Sequence, residues 1–374
     1  MKKFIFMWSV VLLVAGVAFG AETIKFGVVA TVTGQNALGG QLQLEGMQLA
    51  NKLYSEALGK KIELVIVDNK SDQVESATAA ERLIEKDKVN ALLGPYGSGP
   101  SIAAAEVAEV AGIPMMGVAC TNPLVTKGKK FIFRACFIDP FQGKAAANYI
   151  FSNLGYKTAA VFTDAASDYA VGLADFFKTN FTQLGGQIVS DLMYQSGDTD
   201  FTPQLTEIIA QGPDVLFIPA YFPEGAVVLK QAQELGATFR FMAGDGMDNP
   251  EIVAQGGEAV EGFLHTTFAY DPTMPDMNRE AKAFTEAWEK EYPGKTPNAS
   301  AAMGHDAYVL LYQAIIRAGK DDPKSIRDEL EKTKDVATVT GLTSFSVESH
   351  DPVKDAGIVE VKDGKKVYIY TIKP

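Results

Sequence analysis

The stretch GPYGSGPS, residues 94–101, lies between an apolar run and an alanine-rich run. The run before it is VNALL (89–93), and the segment after it is IAAAEVA (102–108). This pattern predicts a strand, a glycine-rich turn and a helix. The free backbone N–H groups at such a helix start favour an anion above the turn. The stretch therefore indicates an α/β protein with an anion site, and a cofactor phosphate, a catalytic oxyanion and a ligand carboxylate all remain open.

Alternating strands and helices extend on both sides of this turn. Further strands of the same sheet are predicted at 24–30, 62–68, 113–119 and 131–136. The alternation restarts after Asp139-Pro140, with strands at 158–163, 187–194, 214–220 and 240–243. Buried strands separated by helices form parallel, doubly wound sheets. The sequence therefore predicts two Rossmann-like α/β domains.

The last hundred residues predict that each domain is discontinuous. Helices are predicted over 279–291, 300–318 and 323–334, with no strand between Phe268 and Phe345. Because the second sheet is already complete, these helices are expected to return to the first domain. The tail alternates around Asp363-Gly364 and predicts a hairpin. We expect an N-terminal lobe of residues 21–140 and 267–350, a C-terminal lobe of 141–266 and 351–374, and a hinge of several crossings.

The N-terminus has the pattern of an export signal. Lys2 and Lys3 precede an apolar run from 4 to 19, and Ala18-Phe19-Gly20 fits a small-residue cleavage site. An uncleaved membrane anchor is the alternative, but the run is short for a span of about 20 residues. We expect a signal peptide over 1–20, cleavage after Gly20 and a periplasmic protein.

Charge and motifs argue against several function classes. The net charge is −12, which disfavours nucleic acid and anionic membranes as partners. His265, His305 and His350 lie far apart without metal-ligand spacing. The dinucleotide fingerprint fails at Ile102, and no nucleophile–base motif occurs. We expect no metal, no cofactor and no enzymatic activity.

Polar residues follow several of the predicted strands, at the edge where open α/β sheets bind ligands. They are Ser98, Thr121, Tyr169, Tyr221 and Asp245. The hydroxyls and N–H groups of Ser98 and Thr121 suit a carboxylate, whereas Asp245 suits an ammonium. The two tyrosines suit closure over a small molecule. This arrangement predicts a clamp for a zwitterion, with amino acids the obvious candidates.

Taken singly, each of these residues also fits a structural role. Ser98 fits a helix cap, Thr121 and Asp245 fit turns, and the tyrosines fit half-buried packing positions. Their coincidence at strand ends in two domains favours a binding site.

Motifs along essentially the whole chain after residue 20 carry a family resemblance. They are IKFGVV (24–29), TG (33–34), GPYGS (94–98), ACTNP (119–123), FR (133–134), DPFQG (139–143), DFT (200–202), LKQA (229–232), Gly236 and GHDA (304–307). In this order they resemble the leucine/isoleucine/valine-binding proteins of ABC transporters, which have the type I periplasmic binding fold. The resemblance implies two lobes that close by hinge motion around an amino acid.

The resemblance also implies roles for single residues. Ser98 and Thr121 match the residues that bind the ligand's α-carboxylate. Ala119 matches a backbone carbonyl that contacts the ammonium, and Asp245 stands where the branched-chain binders often have glutamate. Tyr169 and Tyr221 match the two tyrosines of the second lobe.

Further ligand contacts are expected at Gly97 and at Leu38, Tyr96 and Cys120, and at the last three this chain departs from the family pattern. Leu38 replaces a tyrosine of some members, and Tyr96 and Cys120 stand at positions that are often smaller or different. Cys120 and Cys136 end two strands expected to be neighbours, so a disulfide beside the pocket is geometrically possible. Whether it forms is left open.

The resulting expectation is a monomeric binding protein that delivers an amino acid, branched-chain or otherwise aliphatic, to a membrane permease with ATPase subunits. An amide, urea or an aromatic acid as ligand is the alternative within the same fold. A sensor that reports ligand to a signalling partner is a second alternative.

Overall fold

The computed structural model describes residues 23–346 and 348–374, so the predicted signal peptide lies outside the described residues. Two sheets dominate this part of the chain. The first has the strand order β2-β3-β1-β4-β5-β6 and is parallel except at β2. Its strands are β1 (Ile24–Ala30), β2 (Glu56–Ala57), β3 (Lys60–Asp68), β4 (Ala91–Leu93), β5 (Met115–Gly117) and β6 (Ile132–Arg134).

Helices cover both faces of the first sheet, which explains why β4, β5 and β6 are buried at every position. On one face lie α2 (Gln73–Glu85) and α3 (Ser98–Ala111). On the other face lies α1 (Ala37–Leu53). The α2 helix begins after Asp72, whose carboxylate accepts from the Glu75 N–H at 2.9 Å.

The second sheet has the strand order β15-β14-β11-β10-β9-β7-β8. Its parallel part consists of β7 (Thr158–Asp164), β8 (Gln187–Tyr194), β9 (Val215–Ile218), β10 (Arg240–Ala243) and β11 (Leu264–Phe268). Its helices are α4 (Asp139–Asn148), α5 (Asp168–Gln183), α6 (Thr202–Gln211), α7 (Phe222–Glu234) and α8 (Glu251–Gly256). The α4 helix continues as a π-helical turn over Tyr149–Asn153. The prediction of two doubly wound α/β units is confirmed.

The late helices are α9 (Arg279–Glu291), α10 (Ala299–Ala318) and α11 (Pro323–Glu331). The α10 helix packs on α1 in the core of the first sheet. Glycines allow this close approach: a Cβ at Gly46 would lie 1.9 Å from the Ala301 carbonyl oxygen. The short strands β12 (Val336–Thr338) and β13 (Gly341–Thr343) form a hairpin where the sequence predicted no strand. Unlike β4, β5 and β6, which are equally short but fully buried, these two strands are partly exposed and contain no apolar run that would mark them in the sequence.

The predicted C-terminal hairpin is confirmed as β14 (Ala356–Lys362) and β15 (Lys365–Ile372). It adds an antiparallel edge to the second sheet through β11. The chain thus passes between the two sheets after β6, after β11 and before β14. Within residues 23–346 and 348–374, none of the helices combines the length and apolarity that a bilayer span requires.

Candidate functional site

The two sheets present the carboxyl ends of their parallel strands to one cleft. The glycine turn follows β4 and the Thr121 loop follows β5 in the first lobe. Across the cleft, Tyr169, Tyr221 and Asp245 follow β7, β9 and β10. Parallel strands end at the same edge of a sheet, so loops that are distant in sequence meet there.

The wall from the first lobe can bind an anion. Gly97 has a φ of 91°, which lets the chain turn sharply so that α3 begins at Ser98. The Asn122 N–H donates to Ser98 Oγ at 3.2 Å, which brings the Thr121 loop against the helix start. Among the described residues, no group accepts a hydrogen bond from the Thr121 N–H. That N–H and the Ser98 hydroxyl are available to a carboxylate at the positive end of α3.

The wall from the second lobe carries a buried carboxylate. Asp245 is 8% exposed, and its Oδ1 accepts from Gln142 Nε2 at 2.7 Å and from the Tyr169 hydroxyl at 3.0 Å. Burial raises the pKa of Asp245 to about 6, against the lowering effect of these two hydrogen bonds. Both side-chain bonds reach Oδ1, so Oδ2 retains its capacity for another donor.

Asp139, at the first position of α4, adds a second carboxylate that sequence reasoning did not select. It is fully buried, and within the described part of the chain neither of its oxygens has a hydrogen-bond partner. Burial and the charge of Asp245 raise the pKa of Asp139 well above its usual range, opposed by the nearby Thr121 hydroxyl and by the charge of Arg134. No described lysine or arginine forms an ion pair with either carboxylate. Such a pair of buried acids favours a cation between or beside them.

Gln142 and Asp139 both belong to the DPFQG motif over 139–143, so the sequence did contain a signal for them. An aspartate followed by proline also fits an ordinary helix start, so the motif did not single out Asp139 as a site residue. Gln142 is fully buried and donates to Thr266 Oγ1 at 2.6 Å as well as to Asp245. Gln142 therefore holds the Asp245 side chain in position through this hydrogen bond.

Three tyrosine rings pack against one another at tilted angles, and the contact between Tyr96 and Tyr221 crosses the cleft. The centroids of Tyr96 and Tyr221 are 5.6 Å apart, and those of Tyr169 and Tyr221 are 5.1 Å apart. The Ser98 N–H donates to the Tyr221 hydroxyl of the opposite lobe at 3.3 Å. Leu38 lines a narrow cavity of about 10 Å³ together with Tyr96 and Tyr221. These rings offer apolar faces to a ligand side chain and polar tips to its head.

Further polar contacts join the two lobes at the rim of the cleft. Gln73 Nε2 donates to Asp168 Oδ2 at 3.1 Å, and Asn122 Nδ2 donates to the Asp168 carbonyl at 2.7 Å. The Gln35 amide hydrogen-bonds the Glu224 carboxylate. The lobes are therefore in contact around the candidate site, and a neighbouring rim cavity of about 180 Å³ remains.

The other sequence-predicted contacts lie less directly on the cleft. The Ala119 carbonyl accepts from the Gly97 N–H at 3.3 Å and keeps a second lone pair. Cys120 is fully buried in the core between the first sheet and its helices, with its sulfur directed at Gly117. Its side chain therefore does not line the cleft. Cys120 and Cys136 are both free thiols, with the Cys120 N–H 3.4 Å from Cys136 Sγ.

Residues 23–366 match the family model described as periplasmic binding protein. The chain belongs to the periplasmic binding protein family. A curated relative, the Leu/Ile/Val-binding protein homolog 1 of Brucella suis, is 32% identical over 99% of this chain and 100% of its own length.

Solved structures of this binding-protein fold superpose closely. The leucine binding protein LivK of Thermotoga maritima has a TM-score of 0.91 and 43% identity, covering 94% of this chain and 99% of that one. LivJ of Streptococcus pneumoniae, in complex with isoleucine, has a TM-score of 0.88 and 34% identity, covering 94% and 100%. A solute binding protein of Rhodopseudomonas palustris in complex with 3,4-dihydroxybenzoic acid has a TM-score of 0.84 and 26% identity, covering 94% and 97%. The resemblance deduced from the sequence motifs is confirmed.

Proposed function

We propose that this protein captures the zwitterion of an aliphatic amino acid between its lobes and delivers it to the permease of an ABC transporter. The proposal rests on one observation: the cleft has hydrogen-bond donors for an anion on one side and a buried acid for a cation on the other. One wall presents the Thr121 N–H and the Ser98 hydroxyl at a helix start. The other presents the buried carboxylate of Asp245, and the buried carboxyl group of Asp139 lies beside it at the start of α4. A free amino acid satisfies both walls with one molecule.

Each end of the ligand then has its own contacts. The α-carboxylate takes hydrogen bonds from Ser98 and Thr121. The α-ammonium lies beside Asp245 and Asp139, and the Ala119 carbonyl is a further acceptor for it. Burying the ammonium and these carboxylates together removes the cost of leaving the acids unpaired.

The ligand side chain would lie among Tyr96, Tyr221 and Leu38. Tyr96 is 8% exposed and Leu38 is 41% exposed, and both line the same small cavity with Tyr221. Aromatic faces and a leucine suit a branched aliphatic group. The LivJ neighbour, which is in complex with isoleucine, supports this class of ligand.

An aromatic acid is the second candidate, supported by the cluster of three tyrosine rings and by the neighbour in complex with 3,4-dihydroxybenzoic acid. Such a ligand would leave both Asp245 and Asp139 without a cation. Without a cation these acids must take up protons or remain as unpaired buried charges, whereas an ammonium pairs with them, so the two carboxyl groups favour the amino acid.

Family membership supports a periplasmic location and an ABC transporter partner. We further propose that residues 1–20 form a signal peptide removed after Gly20. Mass spectrometry of the protein recovered from a periplasmic extract should place the mature N-terminus at Ala21. A retained N-terminal segment would contradict the cleavage.

Isothermal titration calorimetry of the protein from Ala21 onward tests the ligand class. The panel is leucine, isoleucine, valine, 4-methylpentanoate, leucinamide, 3,4-dihydroxybenzoate and urea. 4-Methylpentanoate is leucine without its ammonium, and leucinamide is leucine without its carboxylate. We expect tight binding of the aliphatic amino acids and weak binding of both analogues. Tight binding of 3,4-dihydroxybenzoate with none of leucine would overturn the proposal in favour of the second candidate.

A further inference from the structure

Arg134, the last residue of β6, is a fully buried guanidinium behind the loop that carries Thr121. Its Nη1 donates to the Cys120 carbonyl at 2.5 Å and to the Asn122 carbonyl at 3.0 Å. Its Nη2 donates to Thr126 Oγ1 at 2.8 Å. One side chain therefore holds the loop on both sides of Thr121 without reaching the cleft.

The bond to the Cys120 carbonyl sets the direction of a second group. That carbonyl and the Thr121 N–H belong to the same peptide unit, and in a trans peptide the two point in opposite directions. With the carbonyl held towards Arg134, the Thr121 N–H points away from the guanidinium. No described residue accepts a hydrogen bond from it. A charged donor on the carbonyl also polarises the peptide and strengthens its N–H as a donor.

The charge of Arg134 is balanced from a different part of the chain. Arg134 Nε lies 2.6 Å from Asp351 Oδ1, and Thr126 Oγ1 donates to the same oxygen at 2.7 Å. Asp351 lies between β13 and β14, on a segment through which the chain enters the second sheet. The loop of Thr121 is thus tied through Arg134 to one of the crossings between the lobes.

We propose that Arg134 is a positioning residue for carboxylate recognition: it holds and polarises the peptide whose N–H, at Thr121, receives the ligand's carboxylate. The inference rests on the proposed function, because it assigns a role in the same site. It differs from a general stabilising role in one respect. Loss of the guanidinium weakens ligands with a carboxylate more than ligands without one.

The test compares Kd values for leucine and leucinamide, and for benzoate and benzamide, in the native protein and in Arg134→Lys. Lysine keeps the positive charge but loses the forked contact with two carbonyls. We expect leucine affinity to fall about tenfold, the scale of one charge-assisted hydrogen bond, and the ratio of the leucinamide Kd to the leucine Kd to fall with it.

Asp306→Asn serves as the matched control. It removes a fully buried carboxylate of the first sheet's helical layer, beside Lys354 and Thr340, away from the Thr121 loop. Its melting temperature should fall while the leucinamide-to-leucine ratio stays unchanged. If Arg134→Lys does not fold, Asp351→Asn is the substitute variant. It keeps the Arg134 guanidinium but removes the carboxylate that pairs with it. We expect a smaller fall in the same ratio.

The outcomes separate the two proposals. Equal weakening of the ligands with and without a carboxylate, or unchanged leucine affinity, overturns the role of Arg134 and leaves the amino-acid function in place. If the native protein prefers benzoate to leucine, the proposed amino-acid function fails, and the benzoate–benzamide ratio then supports or overturns the role of Arg134. If the native protein prefers no carboxylate over its amide, both proposals fail.

Discussion

Asp245→Asn exchanges a buried carboxylate for a neutral group of the same shape, and we expect it to abolish the preference for ligands with an ammonium. The carboxylate is 8% exposed and held by Gln142 and Tyr169, so water replaces it poorly as a partner for the ligand's charge. Removing one member of a buried charge pair costs about 2–5 kcal/mol, which is about thirtyfold to several thousandfold in Kd.

Calorimetry with leucine and 4-methylpentanoate measures this effect. The variant should lose leucine affinity by that factor while 4-methylpentanoate binds unchanged or better. Asp271→Asn is the control, because Asp271 is similarly buried but accepts its hydrogen bonds from Thr273. Unchanged leucine affinity in Asp245→Asn would refute the reasoning, since the ammonium would then not use this carboxylate.

The same residue predicts how binding depends on pH. With the pKa of Asp245 raised to about 6 by burial, the site loses its charge as the pH falls through that value. The contribution of Asp245 to leucine affinity should therefore be lost as the pH falls below about 6. In Asp245→Asn this dependence should be largely absent between pH 5 and 7. An identical profile in both proteins would assign the titration to another group.

The opposite sign applies to the stability of the ligand-free protein. A folded-state pKa raised from 3.8 to about 6 means that folding favours protonated Asp245. This contribution is fully present below pH 3.8 and is lost as the pH rises through 6, at a cost of about 3 kcal/mol. Asp245→Asn should therefore melt at a higher temperature than the native protein at pH 7, and the difference should shrink towards pH 4. A variant that melts lower at pH 7 would contradict this.

Three further substitutions separate closure, turn geometry and packing. Tyr221→Phe removes the hydroxyl that accepts the Ser98 N–H across the cleft, so ligand affinity should fall several-fold, and small-angle scattering should show a larger radius of gyration. Gly97→Ala should weaken binding more strongly, because φ is 91° and the new Cβ would lie 2.8 Å from the Tyr221 hydroxyl. Gly46→Ala should lower the melting temperature without changing ligand preference, since its Cβ would lie 1.9 Å from the Ala301 carbonyl. A ligand Kd equal to that of the native protein in Tyr221→Phe would count against the contact between the lobes. An unchanged Kd in Gly97→Ala would count against the turn geometry, and an unchanged melting temperature in Gly46→Ala would count against the close packing of the helices.

Much of the fold follows from local sequence. Apolar runs of strand length, separated by amphipathic segments, specify two parallel sheets, because each pattern can bury its apolar side in only a few ways. The hairpin at Asp363-Gly364 follows from turn chemistry in the same way. The strands β12 and β13 escaped prediction because they are partly exposed and lack the apolar runs that mark the equally short strands β4, β5 and β6.

The sequence alone also placed Ser98, Thr121, Tyr169, Tyr221 and Asp245 at strand ends, since the end of a strand is a local property. The partner of each of these side chains is not a local property. The unpartnered carboxylate of Asp139, the support of Asp245 by Gln142 and the turning of Cys120 into the core all depend on contacts between distant segments. Only the tertiary structure determines these contacts. The residues that bury a carboxyl group and raise its pKa, and the side chains that orient a peptide, come from segments that are remote in the chain.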